Sequence, residues 1–218
     1  MIKVIIFDFD GTLFDTKLDI ARSVNILLKE NNLKELPNEE IYKNIGNGAD
    51  VLISKSFGML GVNPPKDSVE KFLKIYESEK LKNTKPFKDI LDVIKKLHRK
   101  KSLYIITNKD EKNSCEILSY YHLEKYFKKV IGRDTFGIKK PDGKLIKIVK
   151  DYENVLDEEI LIVGDSEVDI NFGKNNNILV TLVTWGGMSH IESLKNLKPD
   201  FIVNSPYEIL NLRGINFF

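Results

Sequence analysis

Cysteine is all but absent from this chain. Cys115 stands alone, so no internal disulfide can form, and the sequence suits a reducing compartment. Histidine is nearly as sparse: His98, His122 and His190 are scattered without the spacing of a metal site. A Cys–His catalytic pair has no foothold either, and Cys115, between Ser114 and Glu116 in a helical pattern, reads as a structural residue. Long apolar runs are missing too. None approaches the roughly 20 residues that cross a bilayer, and the N-terminal run 4–7, closed by Asp8, is too short for a secretory core. An excess of one charge is the last absence, since 34 lysines and arginines face 32 acids for a net charge of +2. Neither nucleic acid nor a membrane surface is expected as a partner, and a cytoplasmic enzyme is the expected class.

What is present suits a globular protein. With 218 residues, 42% hydrophobic and 30% charged, the chain can bury a full core and still carry an insertion. Short runs rich in β-branched residues recur at 3–7, 102–106, 129–131, 160–163, 179–183 and 201–203. Most are continuous rather than alternating, the pattern of strands covered on both faces. Helical patterns lie between them. Over 89–98, Ile90, Leu91, Val93, Ile94 and Leu97 share one face ahead of the cations Arg99-Lys100-Lys101, and 144–149 repeats the pattern more briefly. This alternation predicts an α/β fold with a doubly wound parallel sheet.

One region breaks the alternation. From about 16 to 81 the periodicity is helical and no strand is evident. Leu18, Ile20, Ala21, Val24, Leu27 and Leu28 mark a first helix there, and Val69, Phe72, Leu73 and Tyr76 a last one. Gly46, Gly48, Gly58, Gly61, Pro64 and Pro65 divide the middle into short pieces. The expected organisation is therefore an α/β core over 1–15 and 82–218 with an all-helical insert over 16–81. The two crossings, near 15–16 and 82–86, are natural hinges.

Ligands of open parallel sheets bind beyond the carboxyl ends of the strands. There the first run is followed by Asp8-Phe9-Asp10-Gly11-Thr12, the second by Thr107-Asn108-Lys109 and the fourth by Gly164-Asp165-Ser166. Lys140-Pro141-Asp142 follows the third after a loop. In extended backbone, positions two apart point to one side, so Asp8 and Asp10 can face one pocket. Two carboxylates side by side repel unless cations hold them. Asp165 adds a third acid, which suits a hard cation such as Mg²⁺. The metal and Lys140 can offset a bound phosphate, while Thr107 and Asn108 hydrogen-bond its oxygens. One carboxylate can then attack phosphorus while the other serves first as acid and then as base.

Taken together, Asp8-Phe9-Asp10-Gly11-Thr12-Leu13, Thr107-Asn108-Lys109, Lys139-Lys140-Pro141-Asp142 and Gly164-Asp165-Ser166 with Asp169 resemble the four ordered motifs of the haloacid dehalogenase superfamily. The resemblance spans essentially the whole chain. It implies that Asp8 is the nucleophile and a Mg²⁺ ligand, and that Asp10 is the general acid/base, ligating the metal through its backbone carbonyl. It further implies that Thr107 and Lys140 bind the phosphoryl group, that Asp165 is a metal ligand, and that Ser166 and Asp169 support the site. The helical insert resembles the family's mobile cap.

Within the superfamily, the Thr107-Asn108-Lys109, Ile45-Gly46-Asn47-Gly48, Tyr126-Phe127 and Thr184-Trp185-Gly186 segments resemble the phosphoglycolate phosphatase branch. The chain departs from it at Lys85-Pro86-Phe87-Lys88, in place of a proline-glycine turn, and over 171–177, in place of an alanine-rich helix. The expected activity is hydrolysis of a small phosphorylated metabolite by a monomer or homodimer. Alternatives are an inorganic pyrophosphatase or nucleotide phosphatase, a sugar phosphomutase of the β-phosphoglucomutase type, and an idle relative acting as a binding or regulatory protein. The last would show a missing catalytic residue, and none is missing.

Overall fold

A computed structural model describes residues 1–187 and 191–215; His190 lies outside them. In chain order the elements begin with β1 (Val4–Phe7), β2 (Phe14–Asp15), α1 (Lys17–Glu30), α2 (Asn38–Tyr42), α3 (Ala49–Gly58) and α4 (Ser68–Glu79). There follow β3 (Lys85–Pro86), α5 (Ile90–Leu97), β4 (Ser102–Ile106), α6 (Glu111–Tyr120), β5 (Lys129–Ile131) and α7 (Lys144–Glu153). The chain continues through β6 (Ile160–Gly164), α8 (Glu167–Lys174), β7 (Leu179–Val183), α9 (Ile191–Asn196) and β8 (Phe201–Val203) to a 3₁₀ turn at Pro206–Asn211.

The six apolar runs form one parallel sheet in the order β5-β4-β1-β6-β7-β8. β1 sits between β4 and β6, with Ile6 opposite Tyr104 on one side and Ile162 on the other. Its continuous apolar sequence has a direct cause. Ile5 and Phe7 enter one core with Val93, Leu97 and Ile117, while Val4 and Ile6 enter a second core with Leu145, Val149 and Phe172. Helices thus cover both faces, and each fully buried Ile or Phe contributes about 1.5–3 kcal/mol. The chain leaves β1 for β4 on one side and reaches β6 on the other. The carboxyl end of β1 is therefore the point where the topology reverses.

Helices α1–α4 fill the interval between β2 and β3 and pack around a cluster of their own, including Val24, Leu28, Ile41, Ile53, Phe57 and Phe72. The sequence reading did not anticipate the ribbon at their base. β2 and β3 pair antiparallel, Phe14 opposite Pro86 and Asp15 opposite Lys85, tying together the chain's two crossings. Buried Asp19, at the start of α1, reinforces the tie by accepting from Asn83 N (2.9 Å), Asn83 Nδ2 (2.8 Å) and Thr84 N (2.7 Å). The 171–177 segment completes α8 as far as Lys174 before turning. Cys115 is half-buried on α6. Among the described residues, no helix is long and apolar enough to cross a membrane.

Candidate active site

Four strand ends deliver the predicted residues to one place. Asp8 leaves β1 with its N–H donating to Val163 O at 2.9 Å, so its backbone still runs in sheet register. Thr107 does the same beyond β4, donating to Ile131 O at 3.0 Å. Asp165 follows β6 directly, and Ser166 caps α8 by accepting from the Asp169 N–H while the Asp169 carboxylate accepts from the Ser166 N–H. That reciprocal cap fixes Asp169. Gly164 makes room for it, since a Cβ there would collide with the Asp169 carboxylate. Gly186 makes room in the same way beside the Asp165 carboxylate and the Gly11 carbonyl. Its neighbour Trp185 packs on the core and donates from Nε1 to Thr12 O at 3.1 Å.

Lys140, before the cis Lys140–Pro141 bond, is the central cation. Its Nζ donates to Asp8 Oδ1 at 2.7 Å and to Asp169 Oδ1 at 2.6 Å, and all three side chains are buried. Burial works against the Lys140 charge, yet Asp169 and Asp8 hold its proton above the ordinary lysine range. Asp169 is thus both the first-turn acid of α8 and a partner of the central lysine.

Asp8, Asp165 and Asp169 bring carboxylate oxygens within 4.8 Å of one another. Burial raises Asp8 to about 6 against the pull of Lys140, with Asp169 and Asp10 adding to the rise. Asp165 is raised well above the carboxylate range by burial and by Asp8 and Asp169, against the smaller pull of a Thr12 hydroxyl bond at 3.3 Å and of the Lys140 charge. Three buried acids share one ammonium, so the cluster is short of positive charge. An all-oxygen, acid-rich donor set of this kind fits a hard divalent cation. The cluster can hold a metal ion.

Asp10 lies outside this cluster. Its Oδ1 accepts from the Thr16 hydroxyl at 2.7 Å and lies 3.2 Å from Lys109 Nζ. The side-chain cluster therefore contains Asp169 where the residue reading had placed Asp10. Asn108 also differs from expectation. Its carboxamide is spent on structure, accepting from Lys140 N at 2.9 Å and donating to Lys140 O at 3.3 Å and to Gly46 O at 3.0 Å. It holds the lysine in place and ties the inserted helices' Gly46 loop to the core.

Lys109, quoted in its motif but given no role, is buried against Asp10 and donates to Tyr76 Oη on α4 at 2.7 Å. Asp19, which ties the start of α1 to Asn83 and Thr84, carried no motif at all. Helical periodicity gave Tyr76 only an inward face, so its partner across the fold was invisible.

A cavity of about 160 Å³ opens over this floor. Asp8, Asp10, Thr107 and Lys109 line it from the core, and Ile20, Leu52, Phe72 and Tyr76 from the inserted helices. An apolar roof over a charged floor excludes water from a bound phosphate and strengthens every charge contact beneath it.

Comparison with known proteins gives the chain a family. Residues 5–183 match the family described as haloacid dehalogenase-like hydrolase. The chain is similar to the phosphoglycolate phosphatase of Aquifex aeolicus, 34% identical over 96% of each chain. It is also similar to that of Vibrio cholerae, 31% identical over 92% of each. Among solved structures it resembles one from Haemophilus somnus described as a predicted phosphoglycolate phosphatase (TM-score 0.86, 24% identity, 96% of this chain and 97% of that one). A haloacid dehalogenase-type hydrolase of Bacillus subtilis, solved with bound magnesium and described as revealing interdomain movement, shares the fold (TM-score 0.74, 19% identity, 96% of this chain and 97% of that one).

Proposed function

The chain belongs to the haloacid dehalogenase-like hydrolases, and on that premise we propose that it hydrolyses a small phosphomonoester through an aspartyl-phosphate on Asp8. One observation carries the reading: Asp8 alone belongs both to the acid cluster that can hold a cation and to the lining of the cavity that can hold a substrate. A nucleophile needs both.

In the first half-reaction an Asp8 carboxylate oxygen attacks phosphorus, the bond to the ester oxygen breaks, and Asp10 passes a proton to the departing alcohol. In the second, Asp10 takes a proton from water, the hydroxide attacks phosphorus, and inorganic phosphate leaves as the Asp8–phosphorus bond breaks. Lys140 holds Asp8 in position and offsets phosphate charge, and the Thr107 hydroxyl orients the phosphoryl oxygens. Asp8, Asp165 and the Asp10 carbonyl would hold Mg²⁺, with Ser166 and Asp169 supporting them. Bound there, the ion supplies charge neutralisation to the transferring phosphoryl group. The helices over 16–81 act as a cap, with the ribbon at 14–15 and 85–86 as its hinge.

Phosphoglycolate is the leading substrate, since relatives at 34% and 31% identity bear that name and the cavity suits a small leaving group. Pure protein assayed with Mg²⁺ against phosphoglycolate, pyrophosphate, nucleotides, sugar phosphates and a generic aryl phosphate tests the reading. Activity should vanish in Asp8→Asn and Asp10→Asn. Retention in either variant would sink the mechanism, whereas a low rank for phosphoglycolate would sink only the choice of substrate.

A further inference from the structure

Asp50 is paired with more positive charge than it needs. It stands in the first turn of α3 and accepts from Arg133 Nη1 at 3.0 Å and from Lys139 Nζ at 3.1 Å, both donors coming from the core loop between β5 and α7. Lys139 also reaches the Asn47 carbonyl at 3.4 Å, so it belongs to this corner with or without Arg133. The guanidinium packs against Gly48, where an added Cβ would stand 3.5 Å from Nη1.

Arg133 and Gly48 both line the cavity that contains Asp8, Asp10 and Thr107. The other cation in that lining, Lys109, is committed to Asp10 and Tyr76. The remaining acids there are committed too: Asp110 accepts from the Asn113 N–H in the first turn of α6, and Asp134 from the Glu111 N–H, each at 2.8 Å. Arg133 is therefore the cavity's charge whose present partner has a substitute. Its bond to a half-exposed Asp50 is weakly held. The roof formed by Ile20, Leu52 and Phe72 offers no competing polar contact.

We propose that Arg133 is a specificity-determining residue that binds a carboxylate on the leaving group, exchanging Asp50 for substrate while Lys139 keeps Asp50 paired. The proposal rests on the phosphomonoesterase reading and adds the second feature of its substrate. A planar guanidinium matches a carboxylate through two parallel hydrogen bonds, which a lysine cannot reproduce. The short carbon skeleton then lies against the apolar roof, with the phosphate over Asp8.

The test compares phosphoglycolate with ethyl phosphate, the same ester carrying a methyl where the carboxylate was. In Arg133→Gln the ratio of kcat/KM for the two esters should fall about 10- to 100-fold, the loss lying in KM for phosphoglycolate. Arg133→Lys should recover part of it. Asp50→Ala, which removes this contact between insert and core but leaves the guanidinium, should keep the ratio. Equal losses on both esters in Arg133→Gln, or the same selective loss in Asp50→Ala, would overturn the proposal and leave Arg133 as a structural tie. Hydrolysis of neither ester by a wild-type protein that cleaves other phosphomonoesters would overturn this proposal alone. Inactivity on the whole panel would overturn the phosphomonoesterase reading and this one with it.

Discussion

Lys109 Nζ stands 2.7 Å from the hydroxyl of Tyr76 and 4.1 Å from the centroid of its ring. One residue follows β4 in the core and the other lies on α4 among the inserted helices, so a buried ammonium joins the two parts at the cavity. The same ammonium is 3.2 Å from Asp10, whose other anchor is the Thr16 hydroxyl at the hinge. The position of Asp10, the proposed acid/base residue, thus depends on two groups that belong to the insert or border it.

Lys109→Met should therefore lower kcat by roughly two orders of magnitude, as expected when a catalytic acid/base loses its positioning. Tyr76→Phe, which keeps the ring stacked on Phe72 at 5.9 Å, should cost less, roughly tenfold, and again in kcat. Mg²⁺ affinity should move little in either variant, because neither side chain belongs to the acid cluster and Lys109 meets Asp10 through its carboxylate, not through the backbone carbonyl proposed as a ligand. Steady-state kinetics over a magnesium titration checks the prediction. A loss confined to KM would argue against a positioning role.

Lys140 is the only cation the buried acids share among the described residues. Lys140→Met would leave Asp8, Asp165 and Asp169 without one, at a cost of about 3–5 kcal/mol, the range for breaking a buried pair. The metal-free variant should melt well below the metal-free wild type. Magnesium should then raise its melting temperature more than it raises that of the wild type, because the cation replaces missing positive charge. Calorimetry with EDTA and with excess Mg²⁺ decides it, and an equal magnesium shift in both proteins would count against a cation in this cluster.

How far the fold could be read from the sequence followed the range of the interactions. The six strands were legible because burial on both faces left uninterrupted apolar runs such as Val4 to Phe7. The gathering of Asp8, Thr107, Lys140 and Asp165 was legible because each follows a strand of one parallel sheet. The β2–β3 ribbon was not, since two-residue strands carry no periodicity. Nor was the use of Asn108, whose motif suggested a phosphate contact while its geometry serves the Lys140 backbone. The Asp50 pairing with Arg133 and Lys139 spans more than 80 positions and leaves no local trace.

Gly164 tests how closely the site is packed. Gly164→Ala would place a methyl group where the Asp169 carboxylate now sits, displacing the anion that holds Lys140 at 2.6 Å. Overpacking of this kind costs about 1–3 kcal/mol. Activity should fall much further than stability, because Lys140 loses the partner that aims it at Asp8. A thermal melt set beside kcat should show a folded protein with severely reduced turnover. Normal turnover would mean that Asp169 can shift without consequence.

Asp19 makes the hinge a test of stability without catalysis. Its carboxylate accepts two backbone N–H groups, those of Asn83 and Thr84, and the Asn83 carboxamide, yet it does not line the cavity. Asp19→Ala would leave the buried Thr84 N–H without its acceptor, at about 1–3 kcal/mol, while the donors of exposed Asn83 can turn to water. For a chain of this size each kcal/mol lowers the melting temperature by roughly 2–4 °C. Hydrogen exchange at Asn83 and Thr84 should accelerate before exchange in β1 or β6, since the hinge would open locally while the sheet stays intact. Asp19→Asn keeps one acceptor oxygen and should fall between wild type and the alanine variant. Uniform acceleration across the sheet and hinge would mean that the insert and core unfold as one unit, and that the tie at Asp19 serves the whole fold rather than the movement of a cap.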